Sequence, residues 1–275
     1  MSVLLTSEAD FRLLSLIDTA LIGLGIVAIY VTTIWLISLA LRNASIIDIF
    51  WGPGFAVLTI VYTLLTPEGY AGRQILVCAL VTIWGLRLGG YILSRNAGHG
   101  EDYRYQKMRE HAGPAFWWRS LLTVFWLQGV LLWIIAAPLL VAVHSDEPDH
   151  LAITDYAGAV LWLIGISFEA IGDFQLARFK ANQENSGKVM DRGLWRYTRH
   201  PNYFGDATLW WGYFIIAAGT PWGFVTIYAP AIMTFMLTRV SGVAMLERTI
   251  KRRRAGYDEY IRRTSAFFPL PPKRV

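Results

Sequence analysis

From Gly193 to Asp206 the chain reads Gly-Leu-Trp-Arg-Tyr-Thr-Arg-His-Pro-Asn-Tyr-Phe-Gly-Asp, its densest run of side chains able to do chemistry. Arg196, Arg199 and His200 supply cationic or donor groups. Pro201 suits the first turn of a helix, where its missing N–H costs nothing. The free N–H groups of such a turn attract an anion such as a phosphate. Asn202, Tyr203 and Asp206 follow on adjacent faces, where they can hydrogen-bond a ribose or an amide. The residues alone therefore point to an anionic, hydrogen-bonding ligand at a helix start. They are equally consistent with Arg-His-Pro-Asn serving only as a helix cap.

Other ionisable groups stand inside apolar runs, where each needs a partner, a water-filled cavity or a task. Asp48, Arg87, Glu169, Asp173, Asp206, Arg239 and Glu247 form this set. Glu169 and Asp173 are four residues apart and share a helical face, which Arg178 and Lys180 extend. Taken singly, such groups read as ion pairs locking helices together. Gathered at one end of a bundle, they predict a polar cavity. Asp48 lies at the mouth of an apolar run, in Ile46-Ile-Asp-Ile-Phe-Trp-Gly-Pro-Gly-Phe55. It is placed either to donate a proton or to cap that helix. Trp84, Arg87 and Tyr91 share one face of the next run, and Tyr91 carries a phenolic proton. Glu247 closes the last run ahead of Lys251-Arg-Arg-Arg254, which reads as a headgroup-facing anchor or a grip on a phosphate-rich ligand.

The elements that must position these groups are membrane helices. The chain has 275 residues, 55% hydrophobic and 16% charged, with a mean hydropathy of +0.40. Charge is thus well below the level usual in a soluble domain. Apolar runs of about 20 residues recur along the chain. Crossings are expected near Leu14–Leu41, Ile49–Leu65, Gln74–Ser94, Leu121–Val143, Ile153–Leu176, Tyr203–Ala218 and Trp222–Leu246. The fold class is an all-α integral membrane protein, a bundle of about seven transmembrane helices. Assigning loops alternately to two sides puts nearly all Lys and Arg on one of them, the side that also holds the C-terminal tail. The positive-inside rule then places the N-terminus outside and the C-terminus in the cytoplasm. The first run is preceded by Glu8 and Asp10 and exceeds a signal-peptide core, so it is expected to remain as an anchor. Trp117–Trp118 and Trp210–Trp211 are expected in aromatic belts. A single cysteine, Cys78, excludes an internal disulfide and a cysteine-built metal site. No metal is expected. The net charge of +5 sits in loops between crossings, which argues against nucleic acid. Without repeats or linkers, residues 1–275 read as a single membrane domain.

The second half, roughly Glu169–Pro269, resembles the membrane superfamily of steroid 5α-reductases and sterol reductases, which also contains the isoprenylcysteine carboxyl methyltransferases. The matching residues are Arg199-His-Pro-Asn-Tyr-Phe-Gly-Asp206, Asp173 and Lys180 before it, Arg239 after it, and the closing Gly256-Tyr-Asp-Glu-Tyr260 with Pro269. The whole chain is similar to the bacterial branch known as DUF1295, the steroid-5α-reductase-like proteins. The resemblance implies NADPH in a cytoplasm-facing cavity of the inner membrane and a hydrophobic lipid substrate entering from the bilayer. It also implies hydride transfer to a polarised carbon–carbon double bond, as in an enone. Residues 1–143 would then form the substrate side and residues 153–275 the cofactor half. Cofactor contacts would be Glu169, Asp173, Lys180, Arg196, Arg199, His200, Asn202, Tyr203, Asp206 and Arg239. The substrate side departs from the pattern. Phe50-Trp51 and Trp84 stand where steroid 5α-reductases carry Gln-Glu and a tyrosine, so the expected substrate is a steroid-like enone or another unsaturated lipid, such as a fatty-acyl chain, rather than a steroid 3-ketone in particular. The acid role falls to Asp48, with Tyr91 and Glu247 as the other catalytic candidates. The alternative is an S-adenosylmethionine-dependent methyltransferase acting on a lipid or lipidated substrate.

Overall fold

A computed structural model describes residues 8–240, 247 and 256–273. The described residues are helical, without a strand; one isolated bridge joins Thr198 to Ser265. The helices are α1 (Glu8–Leu41), α2 (Ile46–Leu65), α3 (Ala71–Asn96), α4 (Tyr103–Ala112), α5 (Phe116–Ser120), α6 (Leu127–Ile135), α7 (Ala137–His144), α8 (Ile153–Ala181), α9 (Pro201–Ala218), α10 (Tyr228–Phe235) and α11 (Tyr257–Arg263). π-Helical stretches link α5 to α6 (Leu121–Trp126) and extend α10 (Met236–Val240).

Among the described residues, six stretches are long and apolar enough to cross a bilayer: Arg12–Leu41, Ile46–Leu65, Ala71–Asn96, Tyr103–Ile135, Ile153–Ala181 and Gly223–Val240. Two expectations shift. The run expected over Leu121–Val143 starts earlier and stops at Ile135, because Pro138 opens a new helix. The helix expected over Tyr203–Ala218 exists as α9 but is not among the six, since Asn202 and Asp206 occupy its first turns. The end of the last expected crossing and the Lys251–Arg254 run lie outside the described residues.

The chain divides into two compact units, residues 1–152 with 219–224, and residues 153–218 with 225–275. In the first, α2 and α3 pack antiparallel through glycines. A Cβ on Gly52 would sit 2.8 Å from the Gly85 carbonyl oxygen, and one on Gly89 would sit 2.7 Å from that of Ile49. This contact buries Phe55 and Trp84 completely, their rings 5.7 Å apart. At the opposite end from the basic loops, buried Arg73 donates to the carbonyls of Ser145, Glu147, Pro148 and His150. It caps a loop, so this cation reports loop closure there.

In the second unit, α8 and α9 pack antiparallel along a seam of small residues. Gly158 faces Gly212, Gly165 faces Gly205, and Gly172 faces Pro201, each too close for a Cβ without displacing the neighbour. Such seams let helix backbones touch where no hydrophobic effect drives association. The contact also moves Trp210 from its expected belt position into the core, fully buried against Tyr213 at 5.2 Å. Trp162 donates to the Tyr213 hydroxyl at 2.9 Å. Trp117 and Trp118 are exposed, as a belt requires.

Candidate active site

The seam of α8 and α9 determines what lies at their polar ends. Glu169 and Asp173 on α8 and Asp206 on α9 are all buried, at 3%, 3% and 8% exposure. Asn202, in the first turn of α9, spans the helices by donating its amide to Asp173 Oδ1 at 3.1 Å. Its own Oδ1 is buried and accepts no hydrogen bond from the described residues. Carboxylates and a carboxamide thus converge where α9 begins, a set of acceptors suited to hydroxyls, amides or a cation.

The segment leading into α9 is held from two directions. Trp195 donates its indole N–H to the Gly172 carbonyl at 3.0 Å, and Leu194 N donates to Gln175 Oε1 at 3.0 Å. The C-terminal tail runs alongside: Arg199 N donates to Ser265 O, Leu270 N to Tyr197 O, and Thr198 Oγ1 to Phe267 O. The Tyr260 hydroxyl donates to the Trp195 carbonyl, and burial pushes that phenol above its ordinary pKa. The tail's role is to position the Arg199–Asn202 turn, and its only sequence signal is the row of aromatics and prolines from Phe267 to Pro272.

Arg199 is consumed by this arrangement. Its Nε donates to Glu247 Oε1 at 2.7 Å, and its Nη1 donates to the carbonyls of Ile261 at 3.1 Å and Thr264 at 2.8 Å. His200 Nε2 lies 3.3 Å from the same Glu247 oxygen, and its ring stacks on Tyr203 at 5.6 Å. Burial works against the Glu247 charge, but the bonds from His200 and Arg199 outweigh it and hold the carboxyl below its usual pKa. Glu247 thereby clamps Arg199 and His200 together.

The remaining expected residues are dispersed. Lys180 is exposed in the last turn of α8, and Arg239 is exposed in the π-helical stretch after α10. Arg196 is exposed and lines a separate surface cavity. In the first unit, Asp48 accepts from Arg104 Nη2 at 2.6 Å and from the Tyr105 hydroxyl at 2.6 Å, so both its oxygens serve as acceptors. Gln128 donates to that hydroxyl at 3.2 Å. Glu101 holds Arg109 through both oxygens and accepts from Ala44 N at 2.7 Å. These bonds fasten α4 and the turn before it to the start of α2. Asp102 belongs to the same lock: burial opposes its charge, but bonds from the Arg104 side chain and backbone prevail and lower its pKa. Tyr91 lies beneath the guanidinium groups of Arg87 and Arg95, at 6.0 and 5.9 Å from its ring centre. No group of His, Cys, Asp and Glu among the described residues is arranged to hold a metal ion.

Six helices of crossing length are those of a polytopic membrane protein, and buried carboxylates gather where α8 meets the start of α9. The chain belongs to the family described as "Protein of unknown function (DUF1295)", whose model matches residues 34–264. It is 25% identical over 224 residues to an uncharacterized protein of Schizosaccharomyces pombe, covering 72% of this chain. The match covers 64% of that relative's length. No solved structure matches the chain.

Proposed function

We propose that the chain is a membrane-embedded, NADPH-dependent reductase of a carbon–carbon double bond in a hydrophobic lipid. The observation that carries this reading is the cluster of buried Glu169, Asp173 and Asp206 with half-buried Asn202 at the start of α9. NADPH needs acceptors for its ribose hydroxyls and carboxamide and cations for its phosphates, and the chain offers both kinds. The cluster supplies acceptors, and the exposed Lys180, seven residues after Asp173, and Arg239, in the stretch that extends α10, supply charge. Asn202 meets the carboxamide or a hydroxyl through its Oδ1, while Asp173 fixes the side chain's orientation. Arg199, His200 and Glu247 act one layer back, holding the turn in place. When bound, NADPH supplies a hydride from the nicotinamide ring. Kinship of DUF1295 with the steroid-5α-reductase-like proteins supports an enzyme of this kind. Counting α9, the bundle has about seven crossings, with the N-terminus outside and the polar site toward the cytoplasm of a bacterial inner membrane.

A second reading has one observation in its favour. With Arg199 engaged by Glu247 and tail carbonyls, the buried cluster is rich in carboxylates, which suits the sulfonium and ammonium of S-adenosylmethionine. Thermal unfolding in mild detergent separates the two. NADPH is expected to raise the melting temperature and S-adenosylmethionine to leave it unchanged. Asn202→Ala should weaken NADPH binding about tenfold, the worth of one hydrogen bond to a buried partner. Stabilisation by S-adenosylmethionine alone would transfer the assignment to a methyltransferase.

A further inference from the structure

Where the segment from Lys188 to Arg196 meets α11 and the tail, the second unit contains a cavity of about 290 Å³. Lys188, Arg196 and Arg263 line it, against Asp191 and Glu259. Glu259 lies one helical turn from Arg263 and is paired to it at 3.6 Å, so part of the acidic charge is already balanced. Arg196 forms no ion pair with the described residues. The walls are fixed from behind by Tyr260, bonded to the Trp195 carbonyl, and by Thr264, whose Oγ1 donates to the Arg196 carbonyl at 3.5 Å. None of Glu169, Asp173, Asn202 and Asp206 lines this cavity, so it is distinct from the cluster at the start of α9.

Its surroundings indicate what fills it. The tail exposes Phe268 and Leu270, at 65% and 55%. Phe268 sits 6.2 Å from Phe204 of α9, and Leu270 N donates to the carbonyl of Tyr197, the neighbour of Arg196. The tail that lines the cavity through Pro272 thus also presents exposed apolar side chains, so cations and apolar groups occur side by side, the two chemistries that a phosphate and its acyl chains require. Guanidinium forks suit a phosphodiester better than a lone ammonium does.

We infer that this cavity binds the phosphodiester of an anionic phospholipid, with Arg196 and Arg263 as donors and Phe268 and Leu270 in the acyl layer. The test is thermal unfolding of the full chain in mild detergent with phosphatidylglycerol, phosphatidylcholine of the same acyl chains, or inorganic phosphate. Phosphatidylglycerol should give a saturable rise in melting temperature that the other two do not. The rise should vanish when Arg196→Ala and Arg263→Ala are combined, and return in part when both positions carry lysine. Should the alanine pair not unfold cooperatively, Arg196→Gln alone, at an exposed side chain, makes the same comparison. An equal rise with phosphatidylcholine or with inorganic phosphate would overturn the inference. So would a phosphatidylglycerol rise that survives these substitutions. Loss of an NADPH-induced rise beside an intact lipid rise would assign the cavity to the dinucleotide.

Discussion

Glu247 accepts from both Arg199 and His200, and its charge holds together the turn before α9 and the C-terminal tail. Its folded-state pKa lies below the unfolded value of about 4.3, so this stabilisation is complete above that pH and is lost as pH falls through the lower folded value. Glu247→Gln should therefore cost about 2 kcal/mol at neutral pH. The gap to the parent protein should close in acid. A melting-temperature profile against pH checks this, and a gap that persists unchanged at low pH would contradict it. At this scale the sequence disclosed residue types better than partners. That Asp48, Glu169, Asp173 and Asp206 must be occupied followed from the cost of a charge among apolar neighbours. That Arg104 and Tyr105 occupy Asp48 did not follow, because those partners lie 56 and 57 residues away and only the fold brings them near.

Helix pairs are where glycine carries the argument. A Cβ at Gly165 would meet the Gly205 carbonyl oxygen at 2.6 Å and Leu209 N at 2.6 Å, both backbone atoms that cannot swing aside. Gly165→Val should destabilise the protein by about 1–3 kcal/mol and weaken ligand binding at the α9 start, since α8 must move away. Gly90 of α3 has open space around its missing Cβ. Gly90→Ala should be neutral or stabilising by up to about 1 kcal/mol. Chemical unfolding of the two variants checks the pair, and equal effects would refute the seam. The helices themselves were readable as apolar runs, and the start of α9 was readable from Pro201. The break at Pro138 and the burial of Trp210 were not, because a run of apolar residues looks alike facing lipid or facing another helix.

For the molecule as a whole, charge asymmetry among the loops gives a testable orientation. With Cys78 replaced, a cysteine at Ser186 should resist an impermeant reagent added outside intact cells, and one at Asp149 should react. The reverse pattern would invert the topology. The division near residue 152 coincides with an acidic loop between apolar runs. The tail's return to the Arg199 turn was hidden, since backbone hydrogen bonds of extended chain leave little trace in residue type. The proposed reaction is tested most directly by isotope transfer. The purified protein would be incubated with a membrane lipid extract and NADPH dideuterated at the nicotinamide C4, and the lipids read by mass spectrometry. The account predicts a lipid that has lost one double bond and gained one deuterium, with about tenfold less of it from the Asn202→Ala variant at limiting NADPH. An unlabelled lipid pool, beside a methyl group gained from labelled S-adenosylmethionine, would contradict it.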